Sequence, residues 1–161
     1  MADELTLRNA TEEDVPLVLQ FIRDLAEYER LAHACFATEE SVRETLFGAR
    51  PYAEVVIAEH AGEPAGFALF FHNYSTFLAR PGIYLEDLYV RPELRGHGIG
   101  KALLARLASL AIERKCGRLE WAVLNWNESA IHFYRSLGAL PQDQWTTYRV
   151  TGEALERLAG T

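Results

Sequence analysis

The stretch Val90-Arg91-Pro92-Glu93-Leu94-Arg95-Gly96-His97-Gly98-Ile99-Gly100-Lys101 joins a β-type apolar run to a helix-type run through alternating glycines. That combination suits an anion. The first turn of a helix has backbone N–H groups without intrahelical partners and lies at the positive end of the helix dipole, and glycines let oxygen atoms approach the main chain. Arg95, with Arg91 and Lys101, adds positive charge beside it. The whole chain has 16 Lys+Arg against 23 Asp+Glu, a net charge of −7, so this cluster supplies an attraction for a polyanion that the rest lacks. A Walker loop is excluded because position 95 is Arg and position 102 is Ala. A dinucleotide fingerprint needs Gly-x-Gly-x-x-Gly, whereas the spacing here is Gly96-x-Gly98-x-Gly100. Glycine used only to shape a strand-to-helix turn is the plainer alternative; three alternating glycines beside an arginine favour a diphosphate cradle.

The elements that must position this loop follow from periodicity. Leu5 to Arg8 predicts a first strand, and Thr11 with Asp14 a cap opening a helix whose Val15, Val18, Leu19, Ile22, Leu25 and Ala26 recur at helical spacing to about Tyr28. Thr38 caps a shorter helix ending near Phe47-Gly48. Ala53 to His60 and Gly66 to Tyr74 predict a hairpin about the turn Ala61-Gly62-Glu63-Pro64. After a Ser75 to Gly82 loop, Ile83 to Val90 is a fourth strand with alternate residues facing opposite sides. A helix over Lys101 to Lys115 stops at Cys116-Gly117, followed by a strand over Leu119 to Leu124, a helix from Glu128 to Leu137 and a last strand over Thr146 to Val150. Antiparallel strands first and strand-helix-strand later imply a mixed α/β (α+β) fold, with helices on both faces of the sheet.

Composition narrows the function. The 161 residues are 49% hydrophobic and 24% charged, the balance of one globular domain over 1–161. A chain of about this length buries roughly 68–70% of its unfolded surface and needs no staples. The negative balance argues against nucleic acid as a partner and for a cationic one. Cys35 and Cys116 form no Cys-x-x-Cys, and His33, His60, His72, His97 and His132 are scattered, so no metal is expected. Met1-Ala2-Asp3-Glu4 is acidic, with no basic stretch leading into an apolar run; the cytoplasm is the expected compartment, with no membrane partner.

Arg95-x-x-Gly98-x-Gly100 after a strand ending at Val90 resembles the acetyl-CoA signature of the GNAT superfamily of N-acetyltransferases. Ala26-Glu27-Tyr28-Glu29, Tyr84-Leu85-Glu86-Asp87, Trp126-Asn127-Glu128, Phe133-Tyr134 and Leu137-Gly138-Ala139 resemble segments of its spermidine/spermine-acetylating and thialysine-acetylating branches. The resemblance runs from about Leu5 to Gly160. It implies a mixed, mostly antiparallel sheet splayed at its centre, with acetyl-CoA in the splay. Leu88, Tyr89 and Val90 would lend main-chain groups to the pantetheine arm, Arg95, Gly96, His97, Gly98, Ile99, Gly100 and Lys101 would hold the diphosphate, and Asn127, Glu128 and Ser129 would border the arm.

Acetyl transfer to a primary amine needs a neutral nucleophile, and a lysine-like ammonium has a pKa near roughly 10.4. The resemblance assigns removal of that proton, through water, to Glu86. A carboxylate of ordinary acidity, roughly 4.3, accepts such a proton poorly. Two roles therefore stay open for Glu86: a base whose proton affinity burial has raised, or an anchor for the cation. Spacing alone favours reading Tyr134 as a core aromatic beside Phe133; the interval from Asn127 to Tyr134, which resembles the family's, makes it instead the acid expected to protonate the leaving thiolate. Tyr28 and Glu29 join Glu86 on the amine by resemblance, or form an ordinary exposed helix end. Polyamine-acetylating enzymes carry an acidic residue at the place of Ser75 in Tyr74-Ser75-Thr76-Phe77. That departure, with Ala122-Val123-Leu124 and Gly152-Glu153-Ala154, favours the thialysine branch and a small amino-acid-like amine. The expectation is direct attack in a ternary complex without an acyl-enzyme, by a homodimer sharing its C-terminal strand through the apolar surroundings of Trp145 and Tyr148. Acetylation of protein lysines, or acyl-CoA sensing without turnover, are the rival readings.

Overall fold

The computed structural model describes residues 4–160; the acidic start at Met1-Ala2-Asp3 lies outside them. The chain divides into two compact units between Ala122 and Val123. The first unit contains β1 (Leu5–Asn9), α1 (Val15–Tyr28), α2 (Glu39–Phe47), β2 (Glu54–His60), β3 (Glu63–Ser75), β4 (Arg80–Val90), α3 (Ile99–Glu113) and β5 (Leu119–Trp121). The second contains α4 (Glu128–Ser136) and α5 (Gly152–Gly160).

The sheet runs β1-β2-β3-β4-β5, antiparallel throughout except for the parallel β4–β5 pair. Strand side chains alternate, so the sheet has two apolar faces to cover. On one, the α1 stripe Val15, Val18, Leu19, Phe21 and Leu25 clusters with Val55, Ile57, Phe67 and Tyr89. Phe21 stacks on Phe67 with ring centroids 5.3 Å apart. On the other, α3 buries Leu103, Leu104, Leu107 and Ala111. Its last turn leads to Arg114, which lies over Phe70 at 5.9 Å and pairs with Glu54 at 2.7 Å. Helices therefore cover both faces.

The predicted caps have physical partners. Asp14 accepts the Thr11 N–H at 2.7 Å and takes both terminal nitrogens of Arg8 at 2.8 Å, and the Arg8 guanidinium holds its carboxyl at about 2. Thr38 and Ser41 cap each other at the start of α2. The β2–β3 turn is tighter than expected. Ala61 and Gly62, at φ 52 and 82, make the two-residue turn whose twist suits a hairpin, so β3 begins at Glu63. Pro64 sits beside a register shift, where a missing N–H is tolerated. β4 begins at Arg80 rather than Ile83. The helix after the glycine loop spans Ile99–Glu113, ending where Lys115 takes φ 58, before Cys116-Gly117 is reached.

Two expectations fail. The fifth strand ends at Trp121 instead of reaching Leu124, and Thr146 to Val150 forms no strand. Their β-rich composition is not sufficient, because a strand exists only through the hydrogen bonds of a partner, and no strand pairs with them among the described residues. The C-terminal element is instead α5.

Candidate active site

The strand leading to the glycine loop is irregular at one residue. Leu85 lies opposite Phe70 and Asp87 opposite Leu69, which leaves Glu86 without a partner on β3. This bulge reverses the alternation: Leu85 shares the face that carries Phe70, while Asp87 and Tyr89 lie with Leu69 and Phe67 on the α1 face. The β4–β5 pairing runs only from Ile83/Leu119 to Leu85/Trp121. From Glu86 onward, no strand pairs with the far edge of β4 among the described residues. The bulge and the end of parallel pairing coincide, and the sheet opens there.

Several carboxylates lie close enough here to act on one another electrostatically. Glu29 forms the C-cap of α1, and burial together with the Glu86 charge raises its proton affinity. Asp87 is affected more strongly: burial, then the charges of Glu86 and Glu29, push its carboxyl up to about 7. Burial, then Glu86 and Glu120, raise the Tyr84 phenol. Glu86 itself is exposed. The resemblance puts Glu29 and Glu86 together on the amine, and Asp87 falls outside it, because simple alternation points Asp87 to the opposite face from Glu86. The only signal was its charge inside an apolar run.

The loop beyond β4 is open at its glycines. Gly96 and Gly98 have φ of 84 and 79, and a Cβ on either would meet nothing within 4 Å. Their glycines thus satisfy left-handed backbone and keep the space over the start of α3 clear. Gly98 is the N-cap, and its carbonyl accepts the Ala102 N–H at 3.0 Å. The Ile99 side chain is buried in the core, so this residue presents only main chain outward. Tyr89 is likewise buried, Leu88 and Val90 are half-buried, and Lys101 is exposed. His97 Nδ1 lies 3.1 Å from the Leu94 carbonyl and 3.2 Å from that of Arg95. The Arg95 Nε donates to the Val90 carbonyl at 2.9 Å, and its guanidinium lies 4.7 Å from the centre of the Tyr28 ring and 5.6 Å from that of Tyr89. This open, amide-rich turn fits a diphosphate.

In the second unit, Asn127 caps α4, its Oδ1 accepting from the Ala130 N–H and the Ser129 hydroxyl, both at 3.4 Å. Glu128 and Ser129 are exposed. Tyr134 is half-buried with its ring centroid 5.7 Å from that of Phe133, and its carbonyl accepts the Ala139 N–H at 3.2 Å, where Gly138 at φ 89 ends the helix. In the first unit, Ser75 accepts the Leu78 N–H at 3.2 Å and so shapes the β3–β4 turn. Among the described residues, no group of three or more His, Cys, Asp or Glu is arranged to hold a metal ion, and no helix is long and apolar enough to cross a membrane.

The acetyltransferase (GNAT) family pattern matches residues 20–139. The chain belongs to that family. This acetyltransferase is 40% identical to a thialysine N-epsilon-acetyltransferase from Bos taurus, over 96% of each chain. It is 34% identical to an L-ornithine N5-acetyltransferase from Arabidopsis thaliana, over 94% of this chain and 86% of that one. Among solved structures, an integron cassette protein from V. cholerae superimposes with a TM-score of 0.83 at 26% identity, covering 98% of this chain and 99% of the other. The open, mostly antiparallel sheet with helices on both faces is the family's fold. GNAT acetyltransferases generally take acetyl-CoA as donor.

Proposed function

We propose that this acetyltransferase takes acetyl-CoA and acetylates a small primary amine, a thialysine- or lysine-like amino acid or a diamine, by direct attack in a ternary complex. The observation that carries this reading is the pairing, along one strand, of a carboxylate cluster with an open glycine turn. Burial and the Glu86 charge raise the proton affinity of Glu29, and burial with the charges of Glu86 and Glu29 raises that of Asp87, a situation an ammonium relieves. A few residues on, Gly96 to Lys101 offer amides and open space to a diphosphate. Relatives named for thialysine and ornithine acetylation support an amino-acid-like amine.

When bound, acetyl-CoA supplies an acetyl group activated as a thioester. Glu86 and Glu29 hold the ammonium. Asp87, poised at about 7, suits acceptance of its proton, directly or through water, with Glu86 the acceptor that the resemblance implies. The amine nitrogen then bonds to the acetyl carbon and the C–S bond breaks; in the role the resemblance implies, Tyr134 gives its phenol proton to the thiolate and regains one, through water, as the nitrogen loses its second proton. Thiol, amide and one proton leave. The main chain of Leu88 to Val90 and the Asn127 to Ser129 segment are assigned to the pantetheine arm. Cys35 and Cys116, half-buried free thiols, take no part, and they suit a cytoplasmic setting. The family match runs across the boundary at Ala122, which supports one functional domain.

Incubation with acetyl-CoA and a panel of amines, following thiol release, tests the reading. Turnover with lysine analogues or diamines is expected. Preference for lysine peptides would indicate a protein acetyltransferase, and CoA binding without turnover a sensing module; either outcome would overturn it.

A further inference from the structure

Arg95 joins three places at once. Its own loop carries it immediately before Gly96; its Nε holds the carbonyl of Val90 at 2.9 Å; its guanidinium lies over Tyr28 at 4.7 Å and beside Tyr89 at 5.6 Å. Tyr89 is firmly based, its ring 5.9 Å from Phe21 in the buried core. Tyr28 is the last residue of α1, adjacent to Glu29 on the side given to the amine, and 38% exposed. No atoms surround the Cβ positions of Gly96 and Gly98, so no packing holds these residues, and glycine has the most backbone freedom to lose. The loop is tied at its start by the Arg91 N–H on the Ala65 carbonyl at 2.8 Å and the Leu94 N–H on the Arg91 carbonyl at 2.9 Å, at its end by the Ala102 N–H on the Gly98 carbonyl and the buried Ile99 side chain, and between them by the His97 contacts and the Arg95 clamp.

We propose that Tyr28, although it sits at the amine side, is a positioning residue for the donor loop: its ring holds Arg95, and Arg95 holds the amides of Gly96 to Lys101 in the arrangement that receives the diphosphate. A cation over an aromatic face is a weak bond when exposed and stronger when partly desolvated. Its value here lies in preorganisation, since order present before binding does not have to be created on binding. The proposal rests on the reading of this loop as the diphosphate site.

The test is the affinity for CoA alone, by calorimetry, with no amine present. Wild type, Tyr28→Leu, Tyr28→Phe, Arg95→Gln and the double variant Tyr28→Leu/Arg95→Gln are compared. Tyr28→Leu is expected to weaken CoA binding about 3- to 10-fold. Tyr28→Phe, which keeps the ring, should stay within about twofold of wild type. In the Arg95→Gln background, Tyr28→Leu should cost nothing further. Hydrogen exchange of the 96–101 amides, measured without ligand, should quicken in Tyr28→Leu; it serves as a second readout, and Tyr28→Met replaces Tyr28→Leu should the latter fold poorly. An equal loss from Tyr28→Leu in both backgrounds, or loss from Tyr28→Phe matching that from Tyr28→Leu, would overturn the clamp. Unchanged affinity in Tyr28→Leu, with wild type binding normally, removes this inference alone. A wild type that does not bind CoA removes it together with the proposed function.

Discussion

Asp87 carries a raised proton affinity because burial and two like charges disfavour its anion, and this has consequences for both stability and rate. Between pH about 4 and 7 the folded chain holds a proton that the unfolded chain has released, so this residue makes stability fall as pH rises through that window. Asp87→Asn is therefore expected to raise the thermal midpoint at pH 8 and to change it little at pH 4. Its rate effect is opposite. If Asp87 accepts the ammonium proton, kcat/KM of the wild type climbs through a limb near 7 that Asp87→Asn lacks, and the kcat limb lies lower because the bound cation favours the carboxylate. A limb that persists in Asp87→Asn would take the role away from Asp87. For Tyr134→Phe, loss of an acid worth about 10²–10⁴ in rate should appear in kcat, with CoA affinity kept. Equal loss of both would mean that the ring only packs.

At the scale of elements, the strand-loop-helix unit does most of the positioning. The bulge at Glu86 turns Asp87 and Tyr89 toward α1, and the end of pairing at Leu85/Trp121 opens the β4 edge. Gly98 then turns the chain into α3 with a left-handed backbone. Gly98→Ala should cost about 1–2 kcal/mol of stability from that conformation. The added methyl would also stand in the cleared space, so CoA affinity should drop more than the stability loss explains. Calorimetry beside thermal melts separates the two effects; intact CoA binding would show that the open space is not the diphosphate site. Both helical faces and the capping residues of α1 and α2 were legible in sequence, because 3.6-residue periodicity and capping are local. The bulge was not, since one unpaired residue leaves no trace in an alternating apolar run.

The net charge of −7 and the carboxylate cluster give the whole molecule a field that favours cations. Raising ionic strength from about 0.05 to 0.5 M should lower kcat/KM more for a diammonium substrate than for a monoammonium one of similar size, through screening. Equal sensitivity would remove the long-range contribution. Trp145, just before the β-rich stretch Thr146 to Val150, and Tyr148, within it, are 80% and 90% exposed, and the stretch has no strand partner among the described residues. This suits the homodimer that the resemblance implies, in which a second copy covers that stretch. Light scattering should then report a dimer, and Trp145→Ser with Tyr148→Ser a monomer; a monomeric wild type would rule the dimer out.

Sequence alone determined the element order up to β5 and the glycine turn, since these depend on neighbours close in the chain, and its motifs carried the resemblance to the family to which the chain belongs. Only the tertiary structure decided that Asp87 joins Glu29 and Glu86, that Arg95 rests on Tyr28, and that Thr146 to Val150 forms no strand. Each of those outcomes depends on pairing, burial or charge between residues far apart in the chain, and no local pattern records such contacts.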